Sequence, residues 1–425
     1  MKAGGPWAWV PTLYFAEGVP YFVVNNISVV MFKNLGMPNA ELALYTSLLY
    51  LPWVIKPLWS PFVDVIRTKR WWILCMQAAM ALCFAALAFS VPSRSGGVSV
   101  FALTLVLFYI TALCSATHDI AADGYYMLAL DTHRQAQFVG IRSTFYRIAS
   151  VFGQGVLVML AGVLEARLGN VPRAWRLVLL MCSGIFVLIT LWHTVSMPSP
   201  ASDAPRAVNA GAVFKDIGRS FTSFFRKRGI WFAMVFMLLF RLPEAFSVKM
   251  LSPMLLDPLE QGGLAMTTSS VGLVYGTVGV IALTLGGILG GLAAGRWGLR
   301  KSMWPMALSL ALPCAVYLYM AVAQPSNNWT IGTLVALDQF GYGFGFTAYM
   351  LFMIYFSEGE FKTSHYALCT AFMALSMMLP GLVAGYLQER LGYVGFFWMV
   401  MACCLATVVV AWLAKNKIDA QYGKK

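Results

Sequence analysis

Residues 161–169 read A-G-V-L-E-A-R-L-G, and residues 384–392 read A-G-Y-L-Q-E-R-L-G. Both strings keep Ala, Gly, Leu, Arg, Leu and Gly in the same order, and each follows a long apolar run. A second echo stands earlier in each half. Residues 61–72 read P-F-V-D-V-I-R-T-K-R-W-W, and residues 293–304 read A-A-G-R-W-G-L-R-K-S-M-W. A shared order of basic and small residues makes chance likeness between apolar strings a poor explanation. An internal repeat of this length describes two related helical bundles with a substrate held between them near the membrane midplane.

The runs around these strings fit that reading. A hydrocarbon core about 30 Å thick takes about 20 helical residues per crossing. Runs of that order cover 8–32, 41–63, 71–92, 98–130, 137–167, 174–197, 229–256, 268–295, 301–323, 329–357, 363–390 and 393–414. They lack the ten-residue alternation of a membrane β-barrel. The expected fold is an all-α membrane protein of twelve transmembrane helices in two pseudo-symmetric six-helix halves. The halves are 1–197 and 229–414. Residues 198–228 form a linker and 415–425 a tail. Within the linker, Lys215 to Arg228 sets apolar residues at helical spacing beside Arg219, Arg226 and Lys227, as a helix lying on the membrane surface does.

Composition agrees. The 425 residues are 60% hydrophobic and only 11% charged, against about 25% charged in soluble domains. So little charge cannot clothe a water-facing surface. The net charge of +13 would suggest nucleic acid in a soluble chain, but in a membrane chain it encodes topology. With the N-terminus inside, nineteen Lys and Arg fall on the cytoplasmic side and six outside. Both termini are therefore expected in the cytoplasm, and no nucleic-acid partner is needed. The eight cysteines sit in apolar runs without metal-ligand spacing, so neither metal nor cofactor is expected. Glu17, Asn25 and Asn26 interrupt the first apolar stretch, which argues against a cleaved signal peptide.

Charge at membrane depth is costly and marks pathways. Here it comprises Glu17, Lys56, Asp119, Asp123, Arg142, Arg147, Arg241, Glu244, Lys249 and Asp338. Tyr14, Glu17, Tyr21 and Asn25 recur at three and four residues and share one helix face. Rings stack on sugars, and Glu and Asn bond hydroxyls or amides, so this stripe is a candidate substrate contact. Its alternative is a polar seam against another helix. Counted from the inner ends of their spans, Asp123 is level with Arg142, and Asp119 with Arg147, to about 1.5–3 Å. Such pairs either hold helices together or couple protons. Coupling follows if a substrate drawing the arginine away leaves the carboxylate to take a proton. Asp123 is the favoured proton carrier and Asp119 the second. For Lys56, Arg241, Glu244 and Asp338, substrate contact and structural pairing weigh evenly, and Asp338 starts a stripe with Tyr342, Gly345 and Tyr349 in which Tyr342 is a candidate substrate contact. The run G-Y-G-F-G-F at 341–346 permits close packing rather than nucleotide binding, because no strand precedes it.

The scattered histidines and the absence of G-x-S-x-G or Walker motifs argue against an enzyme or an ATP-driven pump. The loop D-V-I-R-T-K-R at 64–70 resembles that between the second and third helices of the major facilitator superfamily. In that family the loop is a cytoplasmic latch, a role the resemblance gives to Asp64 and Arg67. Y-F-A-E-G-V-P-Y at 14–21, V-I-K-P-L-W-S-P-F-V-D at 54–64, D-I-A-A-D-G-Y at 119–125 and F-Y-R-I-A-S at 145–150 resemble the muropeptide permease (AmpG-like) branch, which borders the acetyl-coenzyme A transporters. The resemblance covers roughly residues 10–165 and puts Asp123 and Arg147 on the family's motif positions. It implies a monomeric inner-membrane symporter that imports an amino-sugar muropeptide, or a related glycan fragment, with protons by alternating access. Two alternatives stand beside it. One is an exporter or antiporter of amphipathic organic compounds, for which unpaired acids would be expected. The other is a non-transporting receptor.

Overall fold

The computed structural model describes residues 5–92, 98–201, 203, 210–359 and 361–419. The first element, α1, runs from Pro6 to Asn34. It starts on a proline whose missing N–H is not needed there, and Pro20 lies inside it. A π-helical turn at Val23–Ile27 follows before the α-helix resumes at Ser28. Next comes α2 (39–65), which is broken. It comprises Asn39–Leu48, Leu51–Ile55, a 3₁₀ turn at Lys56–Leu58, and Ser60–Val65. Pro52, Pro57 and Pro61 stand in its sequence. Each removes a backbone donor, which accounts for the interruptions.

Thr68 caps α3 (Lys69–Ser90), its side chain accepting from the Trp71 amide. After α4 (Val98–Ala129), Asp131 caps α5 (132–168) by accepting from the Arg134 amide at 2.9 Å. A second π-helical turn, Phe152–Leu157, interrupts α5. Gly169 (φ 58) ends it in the left-handed conformation that glycine adopts at helix C-termini. Asn170 then caps α6 (Val171–Ser196).

The linker contains α7 (Ala210–Phe225). Lys215 and Arg219 are exposed and Phe224 is fully buried. The Phe224 ring packs on Phe356, His365 and Phe372, so the last turn of this helix is anchored on the protein through that ring. Then follow α8 (Ile230–Leu256), α9 (Thr268–Trp297), α10 (Leu299–Ala323), α11 (Asn328–Ser357) and α12 (Lys362–Lys415). α12 is two helical arms meeting at Gly392 (φ 67, ψ 172). The two repeat strings thus end alike, each with a positive-φ glycine that closes a helix, at Gly169 and Gly392.

Nine helical stretches among the described residues are long and apolar enough to cross a membrane. The chain is a multi-pass membrane protein. Large apolar side chains such as Leu82, Leu188 and Leu292 are more than 60% exposed, as surfaces against lipid tails require.

The chain divides into two compact units, each described by itself. One comprises residues 1–37 and 55–217, the other 38–54 and 218–425. The first is centred on Trp9, Leu13, Tyr14, Ala122, Tyr125 and Phe138. In the second, the 341–346 run brings α11 against two neighbours. A Cβ on Gly343 would stand 2.0 Å from the Leu283 carbonyl oxygen of α9, and one on Gly341 2.2 Å from that of Ser309 in α10. Small residues let these backbones touch.

Candidate functional site

The first unit collects the charged side chains of α1, α2, α4 and α5. Arg142 of α5 places Nη2 2.7 Å from Oδ1 of Asp123 in α4. Its guanidinium lies over the Tyr14 ring at 4.5 Å and the Tyr126 ring at 5.5 Å. Tyr14 of α1 donates its hydroxyl to the same Asp123 oxygen at 3.2 Å. The carboxylate is therefore held by a charge, a phenol and the packing of two rings.

Lys56 Nζ meets Asp119 Oδ2 at 2.5 Å. This departs from the depth count. Asp119 takes its cation from α2, not from Arg147. Levels along two consecutive helices carry no information about a third helix whose 3₁₀ turn swings a lysine inward. Arg147 is half-buried, and no carboxylate is paired with it among the described residues.

Glu17 and Asn25 complete the α1 stripe. Glu17 is 8% exposed and its Oε2 is buried without a hydrogen-bond partner. Asn25 donates Nδ2 to the Tyr21 carbonyl at 3.0 Å, while its Oδ1 is buried and accepts nothing. The π-helical turn holding Asn25 contacts that of α5. Such turns recur at functional sites because they re-aim side chains within a helix. Gly18 makes the approach of α5 possible, since a Cβ there would lie 2.7 Å from the Ala149 Cβ. The stripe thus presents two buried acceptors, beside aromatic rings, to whatever donor reaches them.

Sequence reading did not find a buried polar chain behind this cluster. Thr12 Oγ1 meets His193 Nε2 at 2.8 Å, His193 Nδ1 meets Gln77 Oε1 at 3.0 Å, and Gln77 Nε2 meets His118 Nε2 at 3.0 Å. It ties α1, α6, α3 and α4 together next to Asp119. The lone amide of Gln77 in an otherwise apolar span was the available signal. The Asp64 side chain lies outside the described residues. Arg67 is exposed, its guanidinium 5.8 Å from the Trp71 ring centroid.

In the second unit, Arg241 occupies the break in α8 between Leu239 and Leu242. It is 5% exposed and bonds Glu244 Oε2 at 3.1 Å through both Nε and Nη2. Nη2 also donates to the Tyr342 hydroxyl at 2.7 Å, and the guanidinium lies 4.7 Å from the Phe346 ring. Lys249 is 6% exposed. Its Nζ donates to Thr46 Oγ1 at 3.1 Å and lies 5.6 Å from the Tyr50 ring. Asp338 accepts from the Tyr317 hydroxyl and from Gln339 Nε2. Tyr317, Phe346 and Thr46 carry no local sequence signal, because their partners sit on other helices, whereas Gln339 is the neighbour of Asp338 in α11.

The model of the Major Facilitator Superfamily matches residues 12–360. The chain is 22% identical to the anhydromuropeptide permease of Escherichia coli (strain K12), over 96% of this chain and 79% of that protein. It is also 22% identical to the putative transporter AmpG 4 of Rickettsia conorii, over 96% of each. Among solved structures, a bacterial homologue of the human lysosomal transporter Spinster aligns with TM-score 0.70 and 14% identity, over 96% of this chain and 95% of that one. The nucleoside transporter NupG aligns with TM-score 0.69 and 16% identity, over 96% and 98%. These likenesses extend the match in fold over nearly the whole chain. A helical, multi-pass protein with an internal repeat, charges gathered at membrane depth and a family match over most of its length is a transporter and not an enzyme, and the chain belongs to the Major Facilitator Superfamily.

Proposed function

We propose that this protein is an inner-membrane, proton-coupled symporter that imports a muropeptide or a related amino-sugar oligosaccharide by alternating access. Both termini lie in the cytoplasm. The observation that carries the reading is the charge cluster of the first unit, where two carboxylates are clamped by cations, while Arg147, on the same helix as Arg142, has no carboxylate paired with it among the described residues. Muropeptides combine N-acetyl sugars with carboxylates. Arg147 suits the carboxylate, and the open acceptors on Glu17 and Asn25 suit sugar hydroxyls and acetamide N–H groups. Tyr14 and Tyr21 supply rings for sugar faces. The named activity of the Escherichia coli relative supports the same substrate class.

Coupling follows from exchange of partners. A substrate anion that draws Arg142 toward itself leaves Asp123 short of positive charge, one that draws Lys56 does the same to Asp119, the second carrier, and Arg147 attracts that anion to the site. A carboxylate so stranded takes up a proton. Lys56, and in the second unit Arg241, Glu244 and Tyr342, are assigned to substrate contact, and Asp64 with Arg67 to the latch on the cytoplasmic side. The protein works as a monomer of two six-helix halves joined by residues 198–228.

The test is uptake of a radiolabelled anhydromuropeptide into proteoliposomes, with and without an inward proton gradient. Saturable uptake that the gradient drives above equilibrium is expected, and an uncoupler abolishes the accumulation. Uptake that ignores pH and uncouplers reduces the protein to a facilitator. No uptake of any amino-sugar fragment removes the substrate class.

A further inference from the structure

Most membrane-depth acids in this protein carry a cation. Lys56 holds Asp119, Arg142 holds Asp123 and Arg241 holds Glu244. Glu17 has no ion pair among the described residues, but Arg142 and Lys56 lie within electrostatic range of it. Asp338 of α11 differs from all of these. It is 5% exposed, and among the described residues no lysine, arginine or histidine is paired with it. Its hydrogen-bond donors are neutral, the Tyr317 hydroxyl and Gln339 Nε2 at 3.2 Å, and both reach Oδ2. Among the described residues, none donates a hydrogen bond to Oδ1.

The titratable groups facing Asp338 from the packed elements are Glu244 of α8, Tyr275 of α9, Cys314 and Tyr317 of α10, and Cys404 of α12. None is cationic, and Glu244 already shares its charge with Arg241. An ionised carboxylate buried at membrane depth without a counter-ion costs several kcal/mol, and it neutralises rather than persists. Neutralisation requires either a cation or a proton, and the residues around Asp338 provide no cation.

We propose that Asp338 is a proton-binding site of the second unit, the proton residing on Oδ1 while Tyr317 and Gln339 hold Oδ2. This assigns Asp338 to the proton rather than to the substrate. A hydronium-borne proton forms one O–H bond on Oδ1 and the carboxylate becomes the neutral acid, with no other reactant. Tyr317 favours the ionised form because its hydroxyl donates to the carboxylate. It therefore sets how readily the proton leaves. The proposal rests on the proton-coupled reading only for its transport consequence.

The test is an infrared titration of purified protein, following the carbonyl stretch of protonated carboxylic acids in H₂O and D₂O. Wild type is expected to gain an isotope-shifted component as pH falls, and Asp338→Asn is expected to lack it. Asp338→Glu keeps a titrating component at a displaced frequency, which guards against a variant that fails to fold. Tyr317→Phe removes the donor to the ionised form and moves the midpoint up by about one pH unit, as loss of one charge-assisted hydrogen bond does. An Asp338→Asn spectrum that keeps every titrating component overturns the proposal, as does an unmoved midpoint in Tyr317→Phe. In proteoliposomes, Asp338→Asn is expected to lose gradient-driven accumulation about tenfold, one decade per 1.4 kcal/mol of lost coupling, while retaining counterflow exchange. Accumulation equal to wild type overturns a role in coupling. If the infrared component is present and wild type shows no gradient-driven uptake, the symport reading fails and the proton site stands.

Discussion

Removing Lys56 leaves Asp119 in a site built for an ion pair. A buried charge stripped of its partner costs far more than a pair replaced by apolar groups. Lys56→Met is therefore expected to lower stability by roughly 2–4 kcal/mol, read as a drop in detergent melting temperature. The double variant Lys56→Met, Asp119→Asn recovers most of it. A double variant as unstable as the single one denies the pair shown at 2.5 Å. Asp123→Asn separates holding from coupling. It keeps the Tyr14 contact and a polar group beside Arg142 but cannot cycle a proton, so it should exchange substrate in counterflow and fail to accumulate it under a pH gradient. Full accumulation by this variant removes Asp123 from the proton path. Of this cluster, the Asp123–Arg142 pair was legible in the sequence, because both lie on consecutive helices whose depths can be counted. The Lys56–Asp119 pair was not. Its lysine comes from a helix broken by three prolines, whose local path no residue count gives.

At the scale of elements, the 341–346 run joins α11 to α9 and α10. Gly343 leaves no room for a side chain, because a Cβ there would stand 2.0 Å from the Leu283 carbonyl oxygen. Gly343→Leu must push two backbones apart, and overpacking of this kind costs about 1–3 kcal/mol or more. Gly291→Ala is the matched control. Its Cβ meets nothing within 4 Å, and alanine is the better helix former by about 1 kcal/mol. The expected outcome is a lower melting temperature for the first and an equal or higher one for the second. Equal melting behaviour would mean that the α9–α11 contact is not tight. Close packing was readable from the spacing of glycines, which leaves alternating flat faces on a helix. The π-helical turns at Val23–Ile27 and Phe152–Leu157 were not readable. No residue type encodes them, and they arise where one extra residue is accommodated within an otherwise regular hydrogen-bond ladder.

For the whole molecule, lipid made the fold legible. A bilayer fixes segment length and forbids unpaired backbone, so apolar run length predicts helices even when packing is unknown. The repeat strings sharpened this, since both end on a positive-φ glycine, Gly169 and Gly392. Orientation rests on a different signal, the side on which lysine and arginine accumulate, and it has a direct test. Lys301 follows α9 on the expected cytoplasmic side, and the exposed Ser326 precedes α11 on the opposite one. A membrane-impermeant maleimide on intact cells should label Ser326→Cys and spare Lys301→Cys until the membrane is opened. The native cysteines lie within helices, and wild type sets the background. The reverse pattern would place the basic loops outside. It would also put the latch proposed for Arg67 on the wrong side and turn the charge distribution from a topology signal into a question about what anionic partner it meets. One crossing separates Lys301 from Ser326, through α10, so labelling of both from outside is incompatible with a membrane-spanning α10. The two substitutions together therefore test the orientation and the crossing in one measurement.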